Sequence, residues 1–100
     1  MRCFYVLVHG RLTWSPEAPN TVENWNLPAG FYCHRYVLAA HDEQAIDKAF
    51  LSVRENLDQQ TTWLTRGLAT VDLKAEEVDP QPPYKLLKRV NRGHTFYAAD

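Results

Sequence analysis

The chain has 100 residues, 45% hydrophobic and 23% charged, enough for one packed domain and too apolar for a chain without a core. Eleven basic against twelve acidic residues give a formal net charge of −1. No overall field gathers a polyanion, so neither nucleic acid nor an anionic membrane is an expected partner.

Residues 3–12, CFYVLVHGRL, read as a first strand, with Gly10 hinting at a bulge. Period-two alternation puts Phe4, Val6, Val8 and Leu12 on one face and Cys3, Tyr5, Leu7, His9 and Arg11 on the other. Residues 13–29 form a long connection with three prolines and three asparagines. Trp14 and Trp25 are its candidate contacts, expected to seal the core rather than bind a ligand.

Residues 31–40 read as the second strand. Phe31, Cys33, Arg35, Val37 and Ala39 point one way; Tyr32, His34, Tyr36, Leu38 and Ala40 point the other. Asp42 is the expected N-cap of a helix over 43–57. Its apolar stripe is Ala45, Ile46, Ala49, Phe50, Val53 and Leu57. Residues 58–69 fit either a longer helix or a loop. Residues 70–78 alternate as a strand with Val71, Leu73 and Ala75 inward. DPQPPY at 79–84 reads as a stiff linker, Leu86, Leu87 and Val90 as a docking segment, and residues 94–99 as a last edge strand.

The order β-β-α-β-β predicts an α+β two-layer sandwich, an antiparallel sheet of ferredoxin-like-related order under one amphipathic helix. Residues 1–79 would form the core domain, and 80–100 a Pro-rich linker with a C-terminal segment packing on the core or on a partner. The antiparallel pair of the first two strands puts Phe4, Val6 and Val8 with Val37 and Ala39 under the helix, and Arg35 at the edge of that face. The opposite face gathers Tyr5, His9, Tyr32, His34 and Tyr36. An exposed patch of this kind marks an interaction site.

Sharper chemistry finds little support in the spacing. Cys3 and Cys33 open opposite ends of an antiparallel pair, too far apart for a disulfide. Met1-Arg2 leads straight into a short strand-like segment and no apolar run reaches the roughly 20 residues of a membrane span, so a cytoplasmic protein with reduced thiols is expected. His9, Cys33, His34, His41 and His94 are ligand types without ligand spacing, so no metal and no cofactor is expected. Cys33 has no base on its own face and reads as an inert core cysteine. No residue is assigned a catalytic role. Arg35, on an apolar face, calls for an anionic partner, with Glu76, Glu77 or another acid expected and a ligand carboxylate or phosphate the alternative.

The stretch GFYCHRYVLAAHDEQAIDKA, the acidic strand LKAEEVD and the closing RGHTFY together resemble a family of small bacterial proteins. The matching positions are Gly30, Phe31, Tyr32, Arg35, Gly93, Thr95, Phe96 and Tyr97. Cys33, His34 and His94 depart from the pattern. The resemblance implies a compact stand-alone domain and no activity.

The function expected from these residues is a small protein–protein interaction module, self-associating as a homodimer or binding and neutralising a partner protein through the aromatic face. The alternative is a ligand-binding or catalytic domain using Arg35 with His9 or His34 on an anionic substrate.

Overall fold

The computed structural model describes residues 1–16, 28–82, 84 and 95–98. Four strands and one helix follow in the order β1 (Arg2–Trp14), β2 (Pro28–Ala39), α1 (Asp42–Gln60), β3 (Ala69–Gln81) and β4 (Thr95–Ala98). The sheet is fully antiparallel, and α1 packs on one of its faces, so the fold is the expected two-layer α+β sandwich. The strand order is β3-β1-β2-β4, which corrects the ferredoxin-like-related order. The first two strands are direct neighbours, and β4 adds to the outer side of β2 through Gly30, Phe31 and Tyr32.

The β1–β2 register sets Phe4 opposite Val37, Val6 opposite Arg35 and Val8 opposite Cys33. Those side chains share the helix-facing side with Val71, Leu73, Ala75 and Val78 of β3. Val6, Val8, Phe31, Ala45, Ala49, Val53 and Leu57 are fully buried. Ala45 and Ala49 are small enough to let α1 approach the sheet, and Val53 and Leu57 fill the remaining space. Burying each of those larger side chains contributes about 1.5–3 kcal/mol.

Several local features correct or complete the sequence expectation. The helix is capped by His41 rather than Asp42: His41 Nδ1 accepts from the Gln44 amide at 3.3 Å. Gln44 Oε1 reaches back to the Ala40 amide at 2.6 Å, a reciprocal cap like the capping box. Helix α1 then continues to Gln60 and stops short of Trp63. A separate turn follows, closed by Leu68 N–H to Trp63 O at 2.9 Å and Gly67 N–H to Leu64 O at 3.2 Å. Gly67 has φ +69, the left-handed conformation this closure requires.

Gly10 marks no bulge. It opposes Phe31, and a Cβ at Gly10 would overlap the Phe31 ring. The register shift lies between β1 and β3, where Leu7 opposes Glu77 but Val8 opposes Ala75, leaving Glu76 as the extra residue. Strand β3 also runs on through Asp79, Pro80 and Gln81, the start of the expected linker. Leu86, Leu87, Val90 and Trp25 lie outside the described residues. Among the described residues, no helix is long and apolar enough to cross a membrane.

Candidate functional site

The face turned away from α1 carries the five aromatic and imidazole residues expected there. Tyr5 opposes Tyr36, Leu7 opposes His34, and His9 opposes Tyr32. Antiparallel pairing in this register is what collects them, because each pair is an even number of residues from the next. They form two groups with Leu7 between. At one end the Tyr5 ring lies 5.5 Å from Tyr36 and 5.8 Å from His34, centroid to centroid. At the other end His9 stacks on Tyr32 at 4.4 Å with the planes only 9° apart. Tyr32 is 44% exposed and Leu38, on the same face, 41%.

Two further residues belong to the second group. Tyr97 of β4 places its Oη 2.6 Å from His9 Nε2, and its ring packs at 5.6 Å from both His9 and Tyr32. Gly30 makes this reach possible. It pairs with both Arg11 and Tyr97, and a Cβ there would overlap the Tyr97 phenol. On the other side of the imidazole, Glu76 Oε1 lies 3.4 Å from His9 Nδ1. The bulge at Glu76 explains that contact, since an extra residue turns a side chain out of strict alternation. Sequence reasoning named Glu76 only as an acid for Arg35 and Tyr97 only as a position of the resemblance, and placed neither beside His9. The alternation in TFYA hints that Tyr97 shares a face with Thr95, but nothing local says which strand β4 joins.

The electrostatics of the face are graded. Burial, then Glu77, Tyr36 and Asp79, push the Tyr5 phenol above its ordinary value. Burial and the Arg35 charge hold His34 below the ordinary imidazole value. Glu77 is raised by a hydrogen bond shared with Asp79, and then by that carboxylate's charge.

Arg35 lies on the opposite side. It is fully buried between β2 and α1, which corrects its expected place at the edge of the core face. Its Nε donates to Ser52 Oγ at 3.2 Å, one terminal nitrogen donates to Asn56 Oδ1 at 3.1 Å, and the other to the His34 carbonyl at 2.9 Å. Ser52 and Asn56 are four residues apart and so face the sheet together. Glu76 and Glu77, the expected acids, belong to the other face of β3. Arg35 therefore does not converge with His9 or His34: a sheet separates the guanidinium from the two imidazoles.

Trp14 packs edge-on against Trp63 at 4.9 Å and donates from Nε1 to Pro28 O at 2.7 Å, so it seals the end of the core. Both cysteines are buried and free. Cys3 opposes Leu38 and Cys33 opposes Val8, five positions apart along the pair. Burial raises the Cys33 thiol to about 11 against a smaller opposing pull from Arg35, so it is no nucleophile at neutral pH. Among the described residues, no group of three or more histidine, cysteine or acidic side chains is arranged to hold a metal ion. No family model matches the chain, and no curated protein or solved structure matches it either.

Proposed function

We propose that the protein is a small interaction module that self-associates through the open face of its sheet. The observation that carries this reading is the face itself. Tyr5, Tyr32, Tyr36, His34 and Leu38 lie on one side of a sheet whose other side is closed by the helix, and Tyr32 and Leu38 remain more than two-fifths exposed. Aromatic residues with a polar tip are the type enriched where one surface covers another.

Charge placement favours a second copy of this chain as the cover. Glu77 and Asp79 flank the Tyr5 end of the face, while at the His9 end Lys74 and Arg11 are balanced by Glu76 and Asp72. A two-fold axis that reverses strand direction sets the acidic end of one copy on the charge-balanced end of the other and keeps the two acidic ends apart.

Solution mass by light scattering tests the proposal. The wild type is expected at twice the 11.6 kDa of the chain, and Tyr36→Glu as a folded monomer. A wild type that stays monomeric at high concentration contradicts self-association and leaves the face to a partner of different sequence.

A further inference from the structure

The Glu76–His9–Tyr97 line has a geometry that packing alone does not require. Three side chains from three strands meet end to end: a carboxylate at 3.4 Å from one imidazole nitrogen and a phenol at 2.6 Å from the other. The carboxylate favours the tautomer with its proton on Nδ1, which leaves Nε2 to accept from the Tyr97 hydroxyl. A hydroxyl held by a base that a third group orients is the arrangement of an activated nucleophile. The ring of Tyr32, stacked on His9, fixes the imidazole plane. The site is within reach of solvent, since the side chains of His9 and Glu76 are 17% and 34% exposed.

We infer that Tyr97 is a nucleophilic phenol that takes an acyl group from an activated ester or thioester. His9 acts as general base and Glu76 as its positioning residue. Tyr97 Oη attacks the carbonyl carbon and gives its proton to His9 Nε2. The bond to the leaving oxygen or sulfur breaks, and the leaving group takes that proton from Nε2. An acyl ester on Tyr97 remains, which water hydrolyses with His9 again as base.

The charges around the phenol select this class of donor. Glu76 and Glu77 stand on the neighbouring stretch of the face, with Lys74 beside His9 on β3. Lys74 and Arg11 are matched there by Glu76 and Asp72, so the site lacks the concentrated positive charge on which transfer of a doubly negative phosphoryl group relies. An uncharged carbonyl carries no such requirement. The exposed part of Tyr32 offers an apolar surface for the rest of the donor. The relay lies within one chain and needs the Tyr32 end of the face open to the donor, so it belongs to the uncovered monomer, and its test is run at a concentration where the chain is monomeric.

The test uses p-nitrophenyl acetate as probe, with acetylation read at each tyrosine by peptide mass spectrometry. Tyr84, which is 63% exposed, is the internal reference. In the folded wild type, Tyr97 is expected to react about a hundred-fold faster than Tyr84, the range of general-base assistance. Any p-nitrophenolate turnover that Tyr97→Phe abolishes is counted with it. In urea the two tyrosines are expected to react alike. Glu76→Gln keeps a hydrogen-bonding side chain but removes the charge; it is expected to slow Tyr97 about ten-fold and to move the pH profile of labelling. His9→Phe is expected to bring Tyr97 down to the Tyr84 rate. Equal rates at Tyr97 and Tyr84 in the folded wild type overturn the inference. So does a Glu76→Gln protein with unchanged rate and pH profile, a readout that stands even where His9→Phe does not fold.

Discussion

Arg35 shows how one residue can be legible in its oddity and illegible in its role. An arginine among Phe31, Cys33 and Val37 signals an unusual site, but alternation cannot say what lies above it. The partners are two polar residues at helical spacing, Ser52 and Asn56, which look like ordinary surface choices in a linear reading. Burial lowers the guanidinium's pKa, but arginine stays charged, so these bonds must offset its desolvation. Arg35→Ala is expected to lower unfolding free energy by about 3–5 kcal/mol, because it strands polar groups of both layers. Urea denaturation measures it, and a loss below about 1 kcal/mol would contradict the anchoring role. The cysteines make a second prediction. Burial raises both thiols, Cys33 to about 11, so an aromatic disulfide reagent at pH 8 should label neither in the native protein and both in urea. Rapid native labelling of Cys33 would overturn its placement in the core.

Among the elements, the helix stripe and the two faces of β1 and β2 follow from period alone. Ala45, Ala49, Val53 and Leu57 repeat at helical spacing and are the buried residues of α1. The facing of Tyr5, His9, Tyr32, His34 and Tyr36 was legible because both strands alternate cleanly and pair as neighbours. The bulge at Glu76 was not, because one extra residue changes neither composition nor propensity, only which side chains oppose β1. The pairing of β4 was not legible either: four residues carry no periodic signal strong enough to choose a neighbour. The strand pair also sets a pH response. His34 is held below the ordinary imidazole value by burial and Arg35, so the unfolded chain takes up its proton first as pH falls. Its stabilising contribution is complete above the ordinary value and is lost as pH falls through the folded one. Glu77 works in the opposite sense, since its proton is favoured in the fold. The midpoint of urea unfolding should therefore fall less steeply between about pH 7 and 5 in His34→Gln than in the wild type. Identical slopes would contradict the assignment.

At the scale of the molecule, one helix covers one face of the four strands among the described residues, and the other face carries the aromatics. Sequence fixed neither the sheet order nor the partners of Arg35, since both depend on contacts between distant segments. It did expose the consequence that matters most, an aromatic sheet surface opposite the helix. The account stands on that surface being covered by a second copy. The most direct measurement is an isotope-filtered nuclear Overhauser experiment on a mixture of labelled and unlabelled chains. Cross-peaks between copies are predicted from Tyr32, Tyr36 and Leu38. Cross-peaks from the outer face of α1, where Leu51 is 60% exposed, with none from the sheet would contradict the account.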